Sequence, residues 1–536
     1  MKKMRKISVA LVLFAFAFFT TMAVYAGGGQ QGSQPAQGAA GPKADANFNP
    51  TGFPIVKQQV TKRYMINKPP HIVDPTNMIT MQKYEQMSNV KVTWEVVQSD
   101  GFTERVNLVM ASNSMPDAIM KGAPDITKTS ADGSIIDLTP FIDKYSVGVK
   151  GLFQQYPAAK QTATASDGKI YSLPLINTLE PNRTGHRNLW INKVWLDKLG
   201  LKAPQTIDEF VNVLRAFRDR DVGSTNKIPY VVEFSGGAQT PRVDVFLGSW
   251  GIATNMGLSY LTIKNDKVTF IPSTSEYKEV LQLMNLMWKE KLLDNALYTQ
   301  TSDVALSKFN SSISGCFGLS SDDLWSKYAA DYIPLPPPKQ GNITPVIGLG
   351  PVASGSSFVI TRSDKNPEIT LRWLDYFYTD EGSRFIGGLS PLLDGITCKK
   401  LPDGTWEYSD AILNSPKGYA IAVGEMCPLP GGGFPYWRNP NNSNFIYSAK
   451  VRQSVPAYQQ YYQKTPAYSY PVFSVKDAEQ VNNIRRDLDV YLRENEAKFI
   501  TGDLSFDKWN DFLATCDKMG SKQLESIFQA AYQRMK

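Results

Sequence analysis

The chain has 536 residues, 42% of them hydrophobic and 20% charged, which is enough to build two sizeable lobes. Its formal net charge is +7, and four of the basic residues lie within the first six positions, where there is no acid. The excess that remains, +3, is too small to indicate a nucleic-acid-binding protein. The chain also lacks the clustered Lys and Arg, interleaved with aromatic residues, that follow a phosphate backbone.

Residues 1–26 have the pattern of a secretory signal peptide. Basic residues at positions 2, 3, 5 and 6 precede an apolar run at 9–19, and small residues end the segment at Val24 and Ala26. The run is shorter than the ~20 apolar residues of a membrane span, and the first cysteine is Cys316, so we expect neither a membrane anchor nor a lipid anchor. Residues 27–46 are rich in Gly, Gln and Ala and predict a flexible leader. We therefore expect the mature protein in a periplasm.

Two consecutive helices are predicted after a short apolar strand at 189–191. Asn192 is placed to cap the first helix, which Gly200 ends. Thr206 and Glu209 are three apart, as in a capping box, and open the second helix, whose apolar residues recur every three or four positions up to Phe217.

Alternating strands and helices on either side of this segment predict an α/β fold. A strand at 60–66, a helix after Pro75, a strand at 90–96, a helical stripe from Phe102 and a strand near 115–120 follow in order. Further along, Ser273 and Glu276 form a second predicted capping box, and Asn366 is placed to cap a helix that begins with Pro367. Such a pattern indicates a largely parallel sheet covered by helices, with ligands beyond the carboxyl ends of the strands.

The stretch at 188–220, NLWINKVWLDKLGLKAPQTIDEFVNVLRAFRDR, resembles the segment after the first interlobe crossing in the extracellular solute-binding proteins of carbohydrate ABC transporters. The resemblance is to the branch that contains oligosaccharide and uronate binders. Four more blocks match this family in its own order: ERVNLVMASNSMPDAIM at 104–120, DGKIYSLP at 167–174, KNPEITLRWLDYFYTDEG at 365–382 and KFITGDLSFDKWNDFLATCDKMG at 498–520.

The resemblance implies a two-lobed periplasmic-binding-protein fold with hinge crossings between the lobes and extra C-terminal helices. The approximate boundaries are 47–185 plus 355–430 for lobe 1, and 186–354 plus 431–536 for lobe 2. Crossings of this kind form the hinge on which a binding protein closes.

The ligand would be a sugar, whose rings pack on flat apolar side chains and whose hydroxyls need planar polar groups. Candidates on predicted loops and strand ends are Tyr171, Arg183, Trp190, Trp250, Asp322, Asp323, Trp325, Tyr436 and Trp437. Arg183, Arg187 or Arg438 could hold an acidic sugar in a bidentate manner, which the mild positive charge also favours slightly. Large aromatics also dominate protein cores, so about half of the tryptophans, and Tyr171 with equal odds, are expected to be structural.

The sequence contains no motif of a hydrolase, metalloprotease or nucleotide-binding enzyme. Asp322 and Asp323 are the one carboxylate pair that resembles a pair of catalytic acids. Solvated or helix-capping roles, or contacts to sugar hydroxyls, suit them better than catalysis. Some relatives carry a calcium loop after the helix that ends near Phe217. The corresponding residues 219–229 have too few carboxylates, so we expect no metal there.

The four cysteines allow three disulfide pairings, among which spacing does not choose; Cys516 lies on an apolar helical face and is expected to be a small buried hydrophobe. With only two histidines and no CxxC pair, a zinc site is not expected.

We therefore expect a monomeric binding protein, without enzymatic activity or cofactor, that delivers a carbohydrate to the permease subunits of an ABC importer and binds no nucleic acid. The alternatives are a secreted sugar-cleaving enzyme, or a binding or chemosensory protein for a peptide or another small solute.

Overall fold

A computed structural model describes residues 46–69, 72–112, 114–184, 188–232, 243–254, 260–300, 304–305, 307–308, 311–319, 328–402, 404–417, 419–430, 432–440, 449–463 and 473–534. The predicted signal peptide and all but the last residue of the predicted leader lie outside these ranges. Within the described residues, no helix combines the length and the apolar character needed to cross a membrane.

Fourteen strands are described, most of them short. They are β1 (Val60–Lys68), β2 (Val90–Gln98), β3 (Ala118–Met120), β4 (Leu173–Asn177), β5 (Asn188–Asn192), β6 (Ile228–Val231), β7 (Leu261–Lys264), β8 (Lys267–Phe270), β9 (Ser314–Leu319), β10 (Tyr332–Leu335), β11 (Ala353–Ile360), β12 (Cys398–Lys400), β13 (Trp406–Tyr408) and β14 (Trp437–Arg438).

The α-helices of the described residues fall between and after these strands. They are α1 (Ile79–Ser88), α2 (Ser99–Met110), α3 (Ile126–Ala131), α4 (Thr139–Tyr145), α5 (Gly148–Gln155), α6 (Pro157–Ala163), α7 (Glu180–Arg183), α8 (Lys193–Leu199), α9 (Ile207–Asp219), α10 (Asp244–Leu247), α11 (Ser275–Lys289), α12 (Pro367–Asp375), α13 (Asp380–Ile386), α14 (Asp410–Leu413), α15 (Tyr419–Met426), α16 (Ala449–Gln459), α17 (Val475–Thr501), α18 (Trp509–Lys518) and α19 (Ser521–Arg534).

The first lobe is built on a six-stranded sheet in the order β14-β4-β11-β3-β1-β2. Strand β1 runs parallel to β2 and β3, and β4 runs parallel to β14. Strand β11 is antiparallel to both β3 and β4. As a result, β1, β2, β3, β4 and β14 all have their carboxyl ends at one edge of the sheet, which we call the crossing edge.

The second lobe contains a four-stranded sheet in the order β10-β5-β9-β6. Strand β5 is antiparallel to β9 and β10, and β6 is parallel to β9. Strand β5 enters from the first lobe with Asn188, which pairs with Leu319 at the end of β9.

Separate hydrophobic cores define the two lobes. One core joins residues from Leu179 to Leu349 with residues from Tyr458 to Ala531. The first lobe holds two clusters, which include residues from Phe48 to Ile176 and from Ala353 to Tyr436. Tyr436 is buried in the first lobe's core and β14 pairs with β4, so residues 436–438 pack with the first lobe.

Local signals placed several helix ends correctly. The Asn192 side chain accepts a hydrogen bond from the Trp195 N–H, and Gly200 ends α8 in the left-handed conformation. The Thr206–Glu209 capping box at the start of α9 is formed in both directions.

Two other predicted caps were wrong in detail. Helix α11 is capped by Thr274, whose hydroxyl accepts from the Tyr277 N–H at 3.2 Å, because Ser273 ends a preceding 3₁₀ turn and donates to the Phe270 carbonyl. Helix α12 begins at Pro367 as predicted, but Asn366 makes no capping hydrogen bond with its side chain.

The four cysteines are buried as free thiols. None of the three disulfide pairings that the sequence left open is formed, and Cys516 lies in the second lobe's core as expected.

Candidate functional site

The chain passes between the lobes at the crossing edge of the first sheet. The first crossing leaves β4 after Asn177 and enters β5 at Asn188, and the second enters β11 at Ala353. The third leaves β14 after Arg438. Because β14, β4 and β11 are neighbours in the sheet, the three crossings begin or end side by side.

Hydrogen bonds join the crossings where they leave the sheet. The Asn177 N–H donates to the Val352 carbonyl at 2.6 Å, which links the first crossing to the second. The Thr178 hydroxyl donates to the Arg438 carbonyl at 3.1 Å and accepts from Nε1 of Trp437 at 2.9 Å. These contacts bind the three crossings into one unit at the first lobe.

Arg183, at the end of α7 within the first crossing, contacts the second crossing directly. Its Nε donates to the Gly350 carbonyl at 2.8 Å, and the Gly350 N–H donates to the Arg183 carbonyl at 2.5 Å. No described residue takes a hydrogen bond from its two Nη nitrogens. Burial lowers the pKa of the guanidinium, and Glu180 opposes this shift. The guanidinium is thus anchored to the second crossing through its Nε.

Tyr436 and Trp437 differ in their availability to a ligand. Tyr436 is buried in the first lobe's core, and its hydroxyl accepts from Nε of Arg438 at 3.0 Å. Trp437 is half-buried and packs against the same core. Trp437 and Arg438 thus keep exposed surface, whereas Tyr436 is buried.

Lys121 directly follows β3 at the crossing edge and was not among the residues predicted from the sequence. Its backbone has a φ of 58°, and its N–H donates to the Ser357 carbonyl on β11 at 2.9 Å. Strand β11 changes register against β4 between Ser354 and Phe358, with Gly355 at a φ of 63°. Such bulges frequently re-aim side chains next to binding sites.

The side chain of Lys121 is buried, with 6% of the residue's surface exposed. Its Nζ donates to the carbonyls of Pro428 and Pro430, at 3.1 and 2.9 Å. Burial lowers the pKa of the Lys121 amine to about 7. The sequence signal for this residue is a lysine between a predicted strand and Gly122.

Three of the predicted ligand residues are buried in the hydrophobic cores. Trp190 is 1% exposed and packs edge-on against Tyr458, and Trp250 is buried with its Nε1 donating to Glu279 at 2.7 Å. Tyr171 is buried in the first lobe and donates to Asp167 at 2.8 Å; its burial, together with that hydrogen bond, raises its pKa to about 12.

Asp322, Asp323, Trp325 and Arg187 lie outside the described residues. Their predicted roles rest on the sequence alone.

The described residues contain no group of three or more His, Cys, Asp or Glu side chains arranged to hold a metal ion. In the loop after α9, Asp219 bonds to Arg218 and Asp221 bonds to Lys198 at 2.9 Å.

Two lobes joined by adjacent crossings at the carboxyl ends of parallel strands define a protein of the two-lobed binding class. The family model for bacterial extracellular solute-binding proteins matches residues 70–384, which is more than half of the chain. The chain therefore belongs to the bacterial extracellular solute-binding proteins.

Named relatives span nearly the same length. The fructooligosaccharide ABC transporter substrate-binding protein FusA of Streptococcus pneumoniae serotype 4 is 25% identical over 513 residues, covering 90% of this chain and 91% of FusA. The structure of FusA with kestose superposes with a TM-score of 0.72 at 23% identity, covering 89% of this chain and 99% of that one.

Two solved structures from Bifidobacterium longum infantis share the fold. An extracellular solute-binding protein has a TM-score of 0.76 at 21% identity, covering 89% of this chain and 98% of that one. An HMO-binding solute-binding protein associated with an ABC transporter has a TM-score of 0.74 at 21% identity, with 88% and 98% coverage.

Proposed function

We propose that this protein is the substrate-binding component of an ABC importer and binds an oligosaccharide in the cleft between its lobes. The observation that carries the proposal is the side-by-side position of the three crossings at the carboxyl edge of the first sheet. In open α/β sheets, ligands bind beyond the carboxyl ends of the strands. The same place is therefore both the hinge and the wall of the binding site.

The mechanism is closure of the lobes around the sugar. The crossings are bonded to one another at Thr178 and at Gly350, so the lobes turn about a defined axis. A ligand shifts the balance towards the closed form only by binding that form more tightly. Contacts from both lobes supply this difference, and the closed form is what the permease recognises.

Trp437 and Arg183 are the ligand contacts that we propose from described residues. The ring of the half-buried Trp437 offers a flat apolar surface to a pyranose or furanose ring. The Nη donors of Arg183, which bond to no described residue, suit vicinal hydroxyls or a carboxylate. Arg438 is a third candidate, and Asp322, Asp323 and Trp325 stay candidates from the sequence.

The relatives support the class of ligand. FusA is named for fructooligosaccharides, and its structure contains kestose; the HMO-binding protein belongs to an ABC transporter. All of them match this chain over most of its length. We propose that the mature protein works as a monomer in the periplasm, as a binding protein without catalytic activity.

The experiment is a thermal-shift screen of the mature protein, from Gly27 onward, against neutral and acidic oligosaccharides. A ligand at a hundred times its Kd adds about 2.7 kcal/mol to the free energy of unfolding. A shift with the sugar recovered intact supports the proposal. Recovery of shortened sugar would assign the protein to the carbohydrate-cleaving enzymes, and the absence of a shift with every sugar would redirect the search to peptides and other small solutes.

A further inference from the structure

Two lysines of the described residues are buried, Lys62 and Lys121, and their surroundings differ. Lys62 forms an ion pair with the buried Asp364. No described carboxylate pairs with Lys121. Among the described residues, the titratable group that affects it is Cys427, and burial raises the pKa of that thiol to about 12, so the thiol is neutral near pH 7. A buried cation without an anion is unstable unless something else supplies the charge.

The position of Lys121 indicates where a compensating negative charge could come from. The residue ends β3, which lies inside the six-stranded sheet, at the edge where the crossings leave and ligands of such sheets bind. Lys62 lies near the start of β1, away from that edge. Of the two, the lysine without an ion pair to a described carboxylate is thus the one at the crossing edge.

The Nζ of Lys121 has one more hydrogen-bond donor than the described residues accept from it. A tetrahedral ammonium has three N–H donors, and two of them point to the carbonyls of Pro428 and Pro430. A third donor has no partner in the described part of the chain. The two carbonyls fix the amine without neutralising its charge.

We propose that the third donor of Lys121 binds a carboxylate of the ligand and makes the site selective for acidic oligosaccharides. This proposal rests on the proposed function and narrows its ligand class. Arg183, whose Nη donors bond to no described residue at the first crossing, is a second cation for the same kind of ligand.

Binding of a carboxylate next to Lys121 should change the number of protons that the protein holds. Free Lys121 is only partly protonated near pH 7, because burial lowers its pKa to about 7. A carboxylate at hydrogen-bond distance favours the charged amine and raises that pKa. Binding of an acidic sugar at pH 8 is therefore accompanied by uptake of a proton, whereas a neutral sugar gives no such uptake.

The test is calorimetry of the mature protein at pH 8 in two buffers that differ in ionisation enthalpy. The probes are trisaccharides of galacturonate and of mannuronate, each as the free acid and as its methyl ester. We expect uptake of close to one proton with a free acid and none with its ester. The ester should also bind roughly tenfold to a hundredfold more weakly, as expected for the loss of a hydrogen bond between charged groups.

Variants separate this role from folding. Lys121→Met should remove the proton uptake and the preference for the acid, while Lys121→Gln keeps donors for the carbonyls and tests the charge alone. Lys193→Met removes a charge of the same sign from an exposed position on the second lobe and should change neither property. Circular dichroism and Tm establish that each variant is folded.

The outcomes distinguish the role of Lys121 from the proposal that the protein binds an oligosaccharide. Equal binding of acid and ester, or binding of neutral sugars only, would overturn the role of Lys121 and leave the oligosaccharide proposal standing. Proton uptake that persists in a folded Lys121→Met protein would overturn it as well. If no sugar of either kind binds, both proposals fall together.

Discussion

Arg183 and Gly350, which are 167 residues apart in the chain, bond to each other twice. One hydrogen bond runs from the arginine Nε to the glycine carbonyl, and the other runs from the glycine N–H to the arginine carbonyl. The pair joins the first and second crossings and holds the guanidinium fork in one orientation. A ligand that engages the fork is therefore coupled to the hinge.

Arg183→Lys should lower sugar affinity by about tenfold while leaving Tm nearly unchanged. Lysine keeps the charge but loses the planar fork, so it cannot hold Gly350 and a ligand at once. Calorimetry and thermal unfolding measure the two effects separately. Unchanged affinity in a folded variant would remove Arg183 from the site.

Gly350→Ala should also weaken binding. An added Cβ would lie 3.2 Å from the Arg183 carbonyl oxygen and would push the two crossings apart. Gly151→Ala is the matched control, since that glycine lies in α5 with open space around it. The control should gain about 0.5 to 1 kcal/mol of stability, because alanine is the better helix former, and should bind sugar normally.

Trp437→Ala should lower sugar affinity by at least about tenfold, because stacked aromatic side chains dominate binding energies. Trp437→Phe should restore part of the loss, since it keeps a flat ring. Trp190→Phe is the contrast: it leaves a cavity in the second lobe's core and should reduce the free energy of unfolding without changing the Kd of the folded protein. Equal affinity losses for Trp190 and Trp437 variants would contradict the assignment.

Asp375→Ala should cost about 2 to 4 kcal/mol of stability without affecting the ligand. The buried carboxylate accepts hydrogen bonds from the N–H groups of Val147, Gly148 and Val149, at 2.8, 3.1 and 2.9 Å, and so caps α5 from a distant part of the chain. Denaturant unfolding measures the loss. Asp487→Ala, at an exposed helical position, should stay within about 0.5 kcal/mol of the parent.

The stability difference between the parent and Lys121→Met should depend on pH. The folded pKa of Lys121 is about 7, below its ordinary value of 10.5, so the unfolded chain binds more protons between these pH values. The lysine's contribution to stability therefore rises as the pH increases from 7 to about 10 and is flat below 7. A difference in unfolding free energy that stays constant across this range would show that Lys121 titrates normally in the folded protein.

Local sequence signals predicted the parts of the fold that local interactions decide. Asn192 and Thr206 bond to groups only three residues away, so their sequence neighbours contain all the required information. The predicted cap at Ser273 was wrong by one residue. Ser273 ends a 3₁₀ turn that begins at Ile271, so the helix is capped by Thr274.

Parts of the site depend on distant contacts and could not be derived in the same way. The carbonyl partners of Lys121 lie 307 and 309 residues along the chain. Strand β14 has two residues in a Gly- and Pro-rich stretch, and its pairing with β4 makes it part of the first sheet. Trp190 and Trp437 look equally available in the sequence, and only the packing distinguishes the core side chain from the half-buried one.

Small-angle X-ray scattering of the mature protein, with and without a saturating oligosaccharide found by the thermal-shift screen, tests the central claim most directly. Closure about the crossings predicts a smaller radius of gyration with bound sugar, and the sugar should be recovered intact from the sample. A bound sugar that leaves the radius of gyration unchanged, or that is recovered in shortened form, would contradict a binding protein that closes on its ligand.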